Sequence, residues 1–111
     1  MQPNTAHRML RVTFSKKLPP DTLLEIHANG LSAEIPPDLR DFLKKAGCIK
    51  LSGVYNLKSD EVYTDNYGFA REFKLYLKID SDINDSIKLL RKSHFVEDVK
   101  TISFKRLDRS D

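Results

Sequence analysis

Apolar and polar residues alternate along four stretches of this chain. Alternation with a period of two marks strands buried on one side, because successive side chains leave opposite faces of a sheet. In the first stretch, Arg8 to Ser15, Leu10, Val12 and Phe14 oppose Arg11, Thr13 and Ser15. In the second, Cys48 to Lys58, Ile49, Leu51, Tyr55 and Leu57 oppose Lys50, Ser52, Asn56 and Lys58. The third, Phe69 to Ile79, sets Phe73, Leu75, Leu77 and Ile79 against Glu72, Lys74, Tyr76 and Lys78. The fourth, Val99 to Leu107, sets Ile102 and Phe104 against Thr101, Ser103 and Lys105.

Helical periodicity separates these strands. From Pro37 to Ala46, Leu39, Phe42, Leu43 and Ala46 form an i, i+3, i+4, i+7 stripe. Pro37 suits the first turn, Asp38 and Asp41 sit at the positive end of the dipole, and Gly47 is a natural stop. A second helix starts at Asp80-Ser81-Asp82, with Ile83, Ile87 and Leu90 as its buried stripe and Lys88, Arg91 and Lys92 near its end. Residues 21–35 read two ways. Asp21 can cap a short helix that Asn29-Gly30 ends, or Leu24, Ile26, Ala28 and Leu31, Ala33, Ile35 can flank an Asn-Gly hairpin turn. The hairpin accounts for more residues and is the preferred reading. Residues 59–68, SDEVYTDNYG, read as a long polar loop between two antiparallel strands.

The element order strand, helix, strand, strand, helix, strand predicts an α+β fold. It suits a ferredoxin-like sandwich, a four-stranded antiparallel sheet with two helices on one face and a possible extra hairpin at 22–35. At 111 residues the chain is expected to be one domain, with 1–7 and 108–111 frayed.

Composition narrows the function classes. Apolar runs of two or three residues exclude a transmembrane helix, and the N-terminal residues lack the apolar segment of a secretory signal. A single cysteine, Cys48, allows no internal disulfide and points to a reducing, cytoplasmic setting. The formal net charge is +3, yet the predicted open face gathers Arg11, Lys50, Lys58, Lys74, Lys78 and Lys105 against the single acid Glu72. Cations interleaved with Thr13, Ser52, Thr101 and Ser103 hydroxyls are the residue types that contact a phosphate backbone. Tyr76 supplies an aromatic for stacking or hydrogen bonding.

The segment Asn66-Tyr67-Gly68-Phe69-Ala70-Arg71-Glu72-Phe73 resembles the third-strand signature of the RNA-recognition motif family. Tyr67, Gly68 and Phe69 match in order. Asn66 stands where that family has its first Gly, Asp65 where it has a cation, and Phe73 lies one residue late, which alternation sends to the opposite face. The resemblance implies contact with single-stranded RNA through a sheet face.

Other chemistry has little support. Asp80 to Asp85 lacks the glycine and the terminal glutamate of a calcium loop and reads as a helix cap. His7, His27 and His94 match no zinc spacing, Cys48 reads as a small packing residue, and no nucleophile elbow or phosphate loop occurs. The expected function is therefore a binding or regulatory module without catalysis, metal, cofactor or membrane contact. Its expected partner is single-stranded nucleic acid or a nucleoprotein assembly. The alternative is a protein adaptor or homodimer using the sheet face or the exposed tyrosines Tyr63 and Tyr67.

Overall fold

The computed structural model describes residues 9–102. Its sheet contains β1 (Met9–Phe14), β2 (Cys48–Gly53), β3 (Glu72–Leu77) and β4 (Val96–Thr101). All pairings are antiparallel, and the spatial order is β2-β3-β1-β4. Four α-helices accompany it among the described residues: α1 (Pro20–Asn29), α2 (Pro37–Lys45), α3 (Ser59–Tyr63) and α4 (Ile83–Arg91). The protein is thus a small α+β fold around a four-stranded antiparallel sheet.

β1 and β3 are the central strands, and both follow the expected alternation. Leu10, Val12, Phe14, Phe73, Leu75 and Leu77 are buried, while every intervening residue is half-buried. The buried strand residues join Leu23 and Ile26 of α1, Leu39 and Leu43 of α2 and Leu90 of α4 in one core. Phe14 and Phe73 meet there, with ring centroids 5.2 Å apart.

The edge strands depart from expectation, β2 because a bulge changes its phase and β4 because its phase is set by Val99. In β2, Cys48 pairs with Leu77 and Lys50 with Tyr76, so Ile49 is the extra residue. Ile49 is 57% exposed and does not belong to the apolar face. β2 also ends at Gly53, so Tyr55, Asn56, Leu57 and Lys58 lie outside it. In β4, Val99 is buried opposite Val12, and this fixes the parity of the strand. Thr101 consequently lies across from Leu10, on the apolar side, and Lys100 takes the open side across from Arg11. The strand starts at Val96, earlier than the expected Val99. Phe104, Lys105 and the expected frayed ends lie outside the described residues.

The predicted hairpin at 22–35 is replaced by α1 and a 3-10 turn at Gly30–Ser32. Pro19 and Pro20 favour a helix start, and Leu23 and Ile26 form its buried stripe. Asn29-Gly30 serves as a helix stop: Gly30, at φ +58°, donates its N–H to the Ile26 carbonyl. A Cβ at Gly30 would stand 2.7 Å from the Leu51 carbonyl oxygen, so the glycine also allows this turn to cover the outer edge of β2. The expected loop at 59–68 begins with α3, whose first turn is closed by the Glu61 carboxylate accepting the Lys58 N–H at 2.7 Å. α2 and α4 form where the stripes predicted, and the Asp82 side chain accepts the Asp85 N–H at 3.1 Å as the cap of α4. Phe69–Arg71 form a 3-10 turn before β3, which is shorter at both ends than predicted.

Candidate nucleic-acid interface

Register decides which side chains share the open face. Arg11 pairs directly with Lys74 on one side and Lys100 on the other, and Lys74 pairs with Ser52. One row across all four strands therefore reads Ser52, Lys74, Arg11, Lys100. The adjacent row holds Lys50, Tyr76 and Met9. On the other side of the cation row, Glu72 pairs with Thr13, which pairs with Asp98.

Like charges directly opposite one another destabilise a sheet. Two such pairs meet at Arg11, and the neighbouring acids offset them in part. Glu72 Oε1 accepts from Arg11 Nε at 2.8 Å and also from Nη2. Asp98 lies 3.7 Å from the Lys100 ammonium, an exposed pair of small energetic value. Lys50 Nζ lies 5.2 Å from the centre of the Tyr76 ring, a cation–π contact that leaves its charge available. Four cations thus face two carboxylates among the described residues of this surface.

An aromatic array continues from the cation row. Arg11 Nη2 donates to the Tyr55 hydroxyl at 3.2 Å, and its guanidinium carbon lies 5.9 Å from that ring's centre. The Tyr55 and Phe69 centroids are 4.9 Å apart, and those of Phe69 and Tyr67 5.6 Å apart. All three rings are exposed, Tyr67 to 80%.

The loop carrying Tyr67 and Phe69 is fixed from within. Asp65 accepts the N–H groups of Tyr67, Phe69 and Ala70 at 3.1, 3.3 and 3.0 Å. Burial pushes the Asp65 carboxyl up, but the N–H groups of Ala70, Tyr67, Phe69 and Gly68 together outweigh it and hold it below the usual range. Gly68 turns the chain at φ +87°. Arg71 then ties the loop to the sheet, donating to the Phe14 carbonyl and to Glu97, both at 2.8 Å.

Behind the array, His27 of α1 places Nε2 2.9 Å from the Ala70 carbonyl. A carbonyl only accepts, so Nε2 carries the hydrogen. The imidazole also packs on Phe73, with centroids 4.6 Å apart. An open groove of ≈ 540 Å³ lies between α1 and the end of β2, lined by His27, Ser52 and Tyr55 among others.

The proposed site residues are only partly brought together. Arg11, Lys50, Lys74 and Tyr76 share the open face. Lys58 is removed from it, standing at the N-terminus of α3. Lys78 follows the end of β3, exposed, with its N–H on the Gly47 carbonyl at 2.9 Å. Lys105 lies outside the described residues. Tyr63 hydrogen-bonds Asp21 across α3 and α1, which raises its pKa, and its ring stays 55% exposed. Tyr67 belongs to the aromatic array.

Sequence reasoning missed Tyr55, Phe69 and Lys100. Alternation along residues 48–58 puts Tyr55 on the buried side, and Lys100 requires the phase of β4. The Tyr67-Gly68-Phe69 match to the RNA-recognition signature was the available signal for Phe69.

Burial pushes the Cys48 thiol up to about 12, and Sγ donates to the Lys50 carbonyl at 3.4 Å, so no thiolate forms near neutrality. Among the described residues no three His, Cys, Asp or Glu side chains are placed to hold a metal, and no helix is long and apolar enough to cross a membrane. The chain matches no family model, and no curated protein or solved structure matches it.

Proposed function

We propose that this protein is a binding module without catalysis of its own, taking the phosphate backbone of a nucleic acid on its open sheet face. The fold we propose for it is the ferredoxin-like plan, with the helices layered on the apolar side. The order β2-β3-β1-β4, with helical connections from β1 to β2 and from β3 to β4, supports that plan. The observation that carries the function is the row of Lys74, Arg11 and Lys100 in direct register. A sheet needing only solubility gains nothing from like charges placed side by side, whereas an anionic strand running across β3, β1 and β4 neutralises them and releases its counterions.

A labelled single-stranded oligonucleotide titrated with the full chain tests this reading. Affinity should fall steeply with salt, and the double substitution Lys50→Glu and Lys74→Glu should abolish binding while the circular dichroism spectrum stays unchanged. Equal affinity of the variant, or no binding at low salt, contradicts it.

A second reading has its own observation. Met9, Arg11, Tyr76 and Tyr55 are residue types enriched at protein interfaces, and they lie on or beside this face. A protein partner, or a second copy of the chain, would then cover the sheet. Doubled mass in light scattering with no oligonucleotide binding favours that reading over the first.

A further inference from the structure

We infer that the face takes single-stranded nucleic acid specifically, and that Tyr67, Phe69 and Tyr55 form the platform on which its unstacked bases lie; this rests on the phosphate-binding reading above. The three rings succeed one another at 5.6 and 4.9 Å, and the last is hydrogen-bonded to the arginine at the centre of the cation row. Phosphate-contacting and base-contacting groups are therefore contiguous, the combination that single-strand binders use.

Two features mark the platform as prepared. Tyr67 keeps 80% of its surface in water while its ring stacks on Phe69. The Asp65 carboxylate, gathering three backbone N–H groups, holds the loop so that neither Tyr67 nor Phe69 collapses onto the core. Ordering the loop beforehand lowers the entropy cost of binding. A duplex keeps its base faces inside its own stack and offers these rings only edges. A single strand offers both phosphates and ring faces.

The test compares three labelled probes of equal length with the full chain: a mixed-sequence single strand, the same strand made abasic throughout, and the duplex. The intact strand should bind about tenfold or more tightly than the abasic strand, since stacking on one ring is of that size. It should also bind more tightly than the duplex. Tyr67→Ala, a change at a solvent-exposed ring, should shrink the ratio of intact-strand to abasic-strand affinity severalfold. With no Trp in the chain, tyrosine emission should be quenched by the intact strand alone. Equal binding of intact and abasic strands, or preference for the duplex, overturns the stacking inference and leaves phosphate binding standing. Failure to bind any probe at low salt overturns both.

Discussion

At the scale of single residues, two side chains hold the parts of the site in place. Asp65 accepts three backbone N–H groups. Asp65→Ala should lower stability by about 1–2 kcal/mol in denaturant unfolding, the value of charge-assisted hydrogen bonds replaced by water. It should also broaden the Tyr67 and Phe69 amide signals. The pH dependence has a definite sign. Because the folded carboxyl titrates lower than the unfolded one, its contribution is complete above the ordinary carboxylate value of about 4 and disappears as pH falls through the lower folded value. Protection of the loop amides, taken relative to their intrinsic exchange at each pH, should therefore be flat from neutrality to mild acid and fall only below it. His27 is the second such residue. A Cβ at Gly53 would lie 2.4 Å from its Nδ1, and the ring is held by Ala70 and Phe73, so it has little room to swing aside. Gly53→Ala should cost about 1–3 kcal/mol of stability, measured by denaturant unfolding.

At the scale of the elements, the cation row sets stability against binding. Lys74→Glu replaces a repulsive cross-strand pair with an attractive one beside Arg11. Stability should stay level or rise by about 0.5 kcal/mol while affinity for an oligonucleotide and its salt dependence both fall. Glu72→Gln removes the partner of Arg11 and should do the reverse, lowering stability and strengthening anion binding. A substitution series measured both ways separates a functional charge row from a solvated surface, for which the two readouts are unrelated. The same scale shows what was legible in the residues. β1 and β3 were readable because central strands alternate without interruption. β2 and β4 were not, since an extra residue at Ile49 breaks the period of β2, and in β4 Ile102 and Phe104 suggest one phase whereas Val99, buried opposite Val12, sets the other. Residues 20–29 carry both periods at once, and burial of Leu23 and Ile26 against the core selects the helix. The aromatic array was hidden for a different reason: Arg11, Tyr55 and Phe69 are far apart in the chain, and only the sheet order β2-β3-β1 brings the segments that carry them together.

For the whole molecule, the division of surfaces is the functional statement. Apolar strand residues and helices share one core, both edges of the sheet are interrupted by bulges, and the Gly30–Ser32 turn covers Leu51 on the β2 side. Interrupted edges resist pairing with another chain's strands, so a ligand is directed to the face. Lys44 and Lys45 in the last turn of α2, and Lys88 and Arg91 in the last turn of α4, complement their own helix dipoles and place a second set of cations on the helices, where Lys44 and Lys45 stand beside Asp82 and Asp85. Amide chemical-shift mapping of the isotope-labelled chain during titration with a single-stranded oligonucleotide distinguishes the two regions most directly. Perturbations should gather at Arg11, Lys50, Ser52, Lys74, Tyr76 and Lys100 and extend to Tyr67 and Phe69. Perturbations confined to α2 and α4, or none at low salt, would contradict the account.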